Sequence, residues 1–479
     1  MSKITSAEYK KVAGDSIADP VLQSALESLQ SRLGPATQSL YQNLPEGQEL
    51  RKTAHGYRRK AIDNLDILLE TLADNVQKNG GQVHFAATDK EAVEICLSIA
   101  RKHDVKKVVK GKSMVTEEIG LNEALEEAGI DVAETDLGEF IIQLAGEKPT
   151  HIVAPAIHKT RQQVGELFSE KLGTPYTEDP PTLTFDARKA LRQKFLTADM
   201  GISGCNLACA ETGHITTVSN EGNIRMSTTL PKVHVAFMGM ERIVANLEEQ
   251  QSILRLMSMG AAGQQIGGYV SYIGGPAAAD HCDGPEAFHL VIVDNGRSKI
   301  LADEEFREML CCIRCGACLN VCPVYGKIGG HAYGSAYTGP VGAVVTPLLF
   351  GVNNAADLCT GETLCGACRQ ACPLEINLPR MLLALRAKLS EGDAKWEVQP
   401  KGKLEKLLFE GWQKIIQRRK VYDVFLKIAS VLQKLLPGQN GMIRRLPFPF
   451  NGWTNNRNLK PLAAKTFMQR WKEREEGRS

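Results

Sequence analysis

Five cysteines fall within twelve positions of "CCIRCGACLNVCPVYG" (residues 311–326), and a proline follows the last of them. Cys312, Cys315, Cys318 and Cys322-Pro323 give the spacing C-x2-C-x2-C-x3-C-P. A partial echo, "CTGETLCGACRQACPLEIN" (359–377), supplies Cys365, Cys368 and Cys372-Pro373, with Glu362 where its first cysteine would stand. An iron–sulfur cubane takes one thiolate per iron, and two-residue spacers let three cysteines on one tight loop reach three corners of the same cube. The fourth cysteine of such a run, with its proline, points away and ligates the other cluster. Proline has no N–H and a fixed φ, which turns the chain out of the loop. Crossed assignment gives one cluster Cys312, Cys315, Cys318 and Cys372, and gives the other Cys322, Cys365 and Cys368 with one ligand open. Structural zinc pairs two short knuckles and asks for neither a third cysteine two residues on nor a Cys-Pro. The expected cofactors are two [4Fe-4S] clusters.

The open ligand must come from beside Cys365. Glu362 holds the position of the absent cysteine, and a carboxylate can bind iron, but thiolate is what soft iron–sulfur centres prefer. Cys359 stands six residues before Cys365, with Gly361 between them to let the chain fold back. The sequence therefore favours Cys359 as the eighth ligand, with Glu362, Cys311 or an open iron site as alternatives. The other cysteines read as packing residues: Cys311 is out of phase with the motif and Cys96 lies on an amphipathic helix. Cys205 and Cys209, in "GCNLAC", have no third partner nearby, and Cys282 sits between His281 and Asp283 in what reads as a surface loop. Nine of the 13 cysteines lie within 311–372 at metal-ligand spacing, which favours reduced thiolates in a cytosolic compartment over disulfides.

These loops need a body to carry them. Residues 1–78 are helical in pattern, and "DNLDILLETLADNVQKNGG" (63–81) stops at a glycine pair. Short apolar strands then alternate with amphipathic helices: "QVHFAA" (82–87), "KKVVKG" (106–111), "DVAETD" (131–136) and "HIVAPAI" (151–157) each lead into a helix. That alternation predicts an α/β domain with a mostly parallel sheet and helices on both faces. "CAETGHITTVSNEGNIRMST" (209–228) reads as a hairpin turning at 220–223, and "KVHVAFMG" (232–239) and "FHLVIVD" (288–294) as buried strands. The predicted divisions are 1–78 helical, 79–296 α/β, 297–395 two-cluster and 396–479 a helical basic tail. "KGKSMVTEE" (110–118) is a strand end entering a helix, with Ser113, Thr116, Lys110 and Lys112 at hand. Such a junction can hold an anion, although ordinary helix-start chemistry accounts for the same residues.

At 479 residues and 43% hydrophobic, the chain is long enough for several packed units. Residues 401–479 hold 18 Lys+Arg against 6 Asp+Glu, leaving 39 against 49 elsewhere: an acidic body with a basic tail. The stripe of apolar residues along 403–436 predicts an amphipathic helix there. "MSKITSAEYKK" has no apolar core of signal-peptide length, and the longest apolar run, 341–352, is short and broken by Pro347. A cytoplasmic protein is expected, with peripheral attachment at the inner face of the membrane as an option. No G-x-G-x-x-G follows a strand, so neither flavin nor nicotinamide is expected.

"KGKSMVTEEIGLNEAL", "DLGEFIIQLAGEKPTHIVAPAIHK", "LPKVHVAFMGMERIV" and "CCIRCGACLNVCPVYGKIGGHAYGSAYTGPVGAV" closely resemble the lactate-utilisation protein B family of bacterial iron–sulfur proteins. The resemblance runs from about residue 10 to "GWTNNRNLKPLAAKTFMQRWKER". It implies an electron-transfer component that works with two sister proteins to oxidise L-lactate to pyruvate. It also implies a sugar-isomerase or CoA-transferase type of α/β fold, followed by a helical ferredoxin-like module. The cysteines usually assigned in the family match Cys312, Cys315, Cys318, Cys322, Cys365, Cys368 and Cys372. In folds of the CoA-transferase kind a glutamate can act as nucleophile, which makes Glu211 a weak candidate; no catalytic residue is otherwise assigned. The leading expectation is an electron-transfer subunit of an L-lactate dehydrogenase complex with no nucleic-acid partner; a peripheral membrane or quinone-linked acceptor is one option, and the sequence does not name the final acceptor. The alternatives are a subunit of another 2-hydroxyacid system, of the glycolate type, and an enzyme subunit whose α/β domain does the chemistry.

Overall fold

The computed structural model describes residue 4 and residues 6–281, 283–400, 403–436, 438–439, 441–448, 450–454 and 457–477. Cys282 lies outside the described residues. Residues 1–400 form one compact unit and 401–479 another.

The first unit is organised on a six-stranded sheet. Its strands are β1 (Gln82–Ala86), β2 (Lys107–Lys110), β3 (Asp131–Glu134), β4 (Met200–Gly204), β7 (Val233–Gly239) and β10 (Ala287–Val293). They lie in the order β1-β10-β7-β4-β2-β3, and every pairing is parallel. All seven residues of β7 are buried, which is why "VHVAFMG" is apolar at every position but His234: a parallel sheet is covered on both faces. A second sheet of four short strands, β5 (Leu207–Cys209), β6 (His214–Ser219), β8 (Ile243–Val244) and β9 (Tyr269–Ile273), is ordered β8-β5-β6-β9.

Two local expectations are corrected. "HIVAPAI" is an irregular loop, because the buried His151 ring folds the chain back on itself: Nδ1 accepts the N–H groups of Val153 and Ala154, each at 3.0 Å. Its Nε2 faces Asn320 Oδ1 at 3.2 Å, which ties the loop to the first cysteine motif. The hairpin turn falls at 210–213, where Gly213 takes φ +71°, and "NIRMSTT" forms the helix Asn223–Thr229. Ser219 Oγ bonds both the Glu221 carbonyl and Asn223 Oδ1, which ends β6 ahead of that helix.

The four N-terminal helices, α1 (Tyr9–Ala18), α2 (Pro20–Asn43), α3 (Gly47–Asp63) and α4 (Leu65–Lys78), do not stand apart. Tyr9, Leu26, Leu29, Tyr41 and Ala54 share one buried core with the cysteine loops and with the helices Gly339–Phe350 and Leu378–Glu391. The contact is polar as well. Gln30 Nε2 donates to the carbonyls of Leu319 (3.0 Å) and Cys322 (2.8 Å), and Arg51 Nη2 to those of Gln370 (2.9 Å) and Cys372 (2.6 Å). Arg58 is fully buried and donates to the carbonyls of Glu241, Ile243, Leu310 and Cys311. Buried guanidinium groups persist only when their donors are met, and here backbone carbonyls meet them.

A second buried network joins the α/β body to the cysteine region. Arg297 pairs with Glu118 and with Glu241, each at 2.7 Å, and Tyr337 Oη donates to Glu118 Oε2 at 2.6 Å. In the C-terminal unit the expected stripe is divided between two helices, Lys403–Ile416 and Arg419–Leu432, joined by Trp412 edge-on to Tyr422 and Phe425. Leu407, Val424 and Val431 on this stripe are exposed. Among the described residues no helix is long and apolar enough to cross a membrane.

Candidate metal centres

The two cysteine motifs fold into the same backbone turn. In the first, Arg314 and Gly316 flank Cys315 with φ +57° and +81°; in the second, Leu364 and Gly366 flank Cys365 with φ +57° and +86°. A positive φ is cheap for glycine and costly for leucine or arginine, so the two non-glycine cases mark a conformation held by its surroundings. The repeat brings Cys312, Cys315 and Cys318 into register with Glu362, Cys365 and Cys368.

The side chains gather as two adjoining cavities. Cys312, Cys315, Cys318 and Cys372 line the first. Cys322, Glu362, Cys365 and Cys368 line the second. Each loop thus lends its Cys-Pro cysteine to the other loop's cavity. The neighbours Val341 and Pro340, and likewise Leu378 and Pro379, line one cavity each, so the first turns of two helices form the partition. Cys365 is exposed and Cys368 buried, so the second cavity opens nearer the surface.

Cys359 lines neither cavity. It is buried on the short helix Ala356–Gly361, its Sγ 3.6 Å from the Ala355 carbonyl oxygen. Glu362 caps the end of that helix with extended backbone, and its side chain, 8% exposed, enters the second cavity. One carboxylate oxygen accepts from Tyr333 Oη at 2.8 Å, and the other lies 3.4 Å from Cys322 Sγ. Arg386 holds the backbone on both sides, donating to the carbonyls of Cys359 (2.8 Å) and Glu362 (2.7 Å). Gly361 serves a different end from the one its sequence position implies: a Cβ there would stand 2.2 Å from Tyr9 Oη, so it admits helix α1. Cys311, Cys96 and Cys209 are buried away from both cavities.

Burial dominates the electrostatics of both cavities. Burial pushes the Cys315 thiol up to about 12 and the Cys368 thiol up to about 11, and raises Cys318, Cys322 and Cys372 as well. Burial raises the Glu362 carboxyl in the same way. Buried donors of this kind become anions only when a cation binds them, so metal loading and proton release are coupled. The donor set, seven sulfurs and one carboxylate oxygen in two groups of four, suits a pair of iron–sulfur cubanes and not a pair of zinc knuckles.

Of the other candidates, Lys110 is buried among Glu134 (2.8 Å), Glu117 (3.1 Å) and Thr116, so its charge is already met. Ser113 caps the helix Met114–Ile119. Glu211 is exposed beside the hairpin turn and lines neither cluster cavity.

These features define the class: a mixed α/β domain with a parallel sheet, followed by a dicluster iron–sulfur domain. The LUD domain family matches residues 69–293, the 4Fe-4S dicluster domain family residues 308–376, and the C-terminal domain of lactate utilisation protein B residues 397–476. The chain is 42% identical over 475 residues to a lactate utilization protein B of Oceanobacillus iheyensis, covering 99% of this chain and 98% of the relative. It is also 42% identical to the protein of that name in Bacillus licheniformis, covering 98% and 97%. An uncharacterized electron transport protein, YkgF, of Escherichia coli is 46% identical over 389 residues, 81% of this chain and 82% of the relative. The chain belongs to the lactate utilisation protein B family.

Proposed function

We propose that this chain is the electron-transfer subunit of a multi-protein system that oxidises L-lactate to pyruvate. The observation that carries the reading is the pair of adjoining cavities, each lined by four ligand-bearing side chains exchanged crosswise between two like loops. Cys312, Cys315, Cys318 and Cys372 hold the first [4Fe-4S] cluster; Cys322, Cys365, Cys368 and Glu362 hold the second. Glu362 displaces Cys359 from the expected role because it occupies, in the repeated turn, the place that Cys312 occupies in the first loop. When bound, such clusters supply one-electron chemistry. The chain's own part is to bury Cys315 and Cys318 of the first set and to bring the second toward the surface at Cys365. The relatives' names support the lactate assignment and an electron-transport role.

The two sister proteins of the same system are the proposed partners, one of them carrying the site where lactate loses two electrons. The location is cytoplasmic, with the basic C-terminal unit meeting a partner or the anionic inner face of the membrane. The test is anaerobic purification followed by analysis for about eight iron and eight sulfide per chain. Lactate should bleach the protein and raise reduced-cluster EPR signals only when the partners are present. Stoichiometric zinc without sulfide, or lactate turnover by the pure chain without flavin, overturns the reading.

A further inference from the structure

A third cavity, of about 320 Å³, lies where the α/β body meets the first cysteine loop. Lys112, Asp136, Cys205 and Arg242 on its wall follow the carboxyl ends of β2, β3, β4 and β7. Between β2 and β4 the connections diverge: the chain leaves β2 for the edge strand β3, and leaves β4 toward β7 on the other side. Open parallel sheets bind ligands at such a switch point, outside the carboxyl ends of the strands. The volume suits a small organic molecule.

The cavity shares a wall with the first cluster site, since Cys315 lines both. Gly260, on the helix Leu247–Ala262, makes the approach possible, for a Cβ there would stand 2.9 Å from Cys315 Sγ. At this end stand two guanidinium groups. The Arg314 side chain is 7% exposed, and its Nη1 has no hydrogen-bond partner among the described residues. Its nearest carboxylate, Glu241, lies 4.0 Å away and is already bonded to Arg297 at 2.7 Å. Arg242 donates Nη1 to the Cys312 carbonyl at 3.1 Å. Lys112 adds no free charge, being paired with Glu139 at 3.1 Å. Asp136 and Glu221 also line the cavity, and they would repel a polyanion while accepting from a hydroxyl group.

We propose that this cavity binds a small monocarboxylate, its carboxylate on Arg314 and Arg242, and that occupancy lowers the reduction potential of the cluster on Cys312, Cys315, Cys318 and Cys372. The planar guanidinium fork matches a carboxylate, and an unmet buried donor is the group that gains most from one. The inference rests on the cluster assignment above. A negative charge set against that cluster disfavours an added electron, so the ligand binds the oxidised form more tightly, and linkage makes the effect reciprocal. A tenfold preference corresponds to about 59 mV for a one-electron couple.

The test is an EPR-monitored redox titration of the full-length iron-loaded protein, alone and with saturating L-lactate or pyruvate, against sodium chloride at matched ionic strength. Iron content and the EPR signals, measured first, separate failure of the cluster assignment from failure of this inference. The first cluster's signal, identified by its loss in Cys315→Ser, should shift its midpoint down by about 59 mV for each tenfold preference, while the second stays fixed. Arg314→Gln and the cavity-filling Ala262→Leu should each abolish the shift at unchanged iron content. No shift with either acid, an equal shift with chloride, or a shift that survives both substitutions overturns the proposal.

Discussion

Replacing Glu362 by glutamine is the sharpest probe of the second metal centre. The amide keeps an acceptor for Tyr333 Oη, now 2.8 Å from the carboxylate, and fills the same volume. Exchanging a charge-assisted for a neutral hydrogen bond costs about 1 kcal/mol, and relief of the buried charge offsets part of it. Folding should therefore survive, with the melting temperature lower by a few degrees at most. Metal binding should not survive in full, because one of four ligands to a cubane has gone: iron should fall from about eight to about seven per chain. The air-oxidised protein should then show the EPR signal of a three-iron cluster. Glu362→Cys should keep about eight iron, since Cys312 occupies the equivalent backbone position in the first loop and lines the first cavity from it. Cys359→Ser should also keep its iron. The new hydroxyl bonds the Ala355 carbonyl that now lies 3.6 Å from the sulfur, and the cost is confined to about 1–2 kcal/mol of stability. Iron analysis, EPR and a thermal melt on the three variants decide the matter. Full iron in Glu362→Gln together with loss in Cys359→Ser would refute the assignment.

Arg58→Met should destabilise the protein by about 3–5 kcal/mol, read by chemical denaturation, because it strands four buried carbonyls. His234, buried in the sheet beside Ser203 Oγ (2.8 Å), is pushed down to about 3 by burial and by His289. The unfolded chain takes up its proton near pH 6.5 and the folded chain does not, so stability is full above that pH and is lost as pH falls below it. Between pH 7.5 and 5 this amounts to about 2 kcal/mol, and His234→Gln should remove that share of the acid loss in paired melts. A chain ending at residue 400 should lose salt-sensitive association with its partners or with anionic vesicles in co-sedimentation. Unchanged sedimentation would assign the basic unit a purely internal role.

The cysteine spacing made the gathering of seven sulfurs into two cavities legible because that spacing is itself the geometry: two residues between sulfurs and a proline to turn the chain leave few folds open. The parallel sheet was legible in the alternation of short apolar strands with amphipathic helices between residues 82 and 157. What the sequence hid depends on contacts between distant residues. Chemical preference pointed to Cys359, but helix pitch turns that thiol toward the Ala355 carbonyl and presents Glu362 instead; the like φ values at Arg314 and Leu364 are visible only in three dimensions. His151 is one residue in an apolar run by composition, yet its ring captures two backbone N–H groups and abolishes the strand. The third cavity has walls from residues 112 to 337, and no local pattern could have joined them.

The bonds from the N-terminal helices to the cysteine loops impose an order on biosynthesis. Gln30 waits for a partner 292 residues downstream and Arg51 for one 321 downstream. At typical elongation rates that interval is on the order of 15–60 s, during which α2 and α3 have emerged and their final contacts have not. Leu26, Leu29 and Ala54 are then apolar surface in search of cover, the condition in which nascent chains recruit chaperones or aggregate. Iron–sulfur loading falls at the close of the same interval, when residue 372 appears and both loops can be completed at once. A cell short of iron should thus accumulate a chain whose first three helices lack their final contacts, and proteolysis should begin at that end.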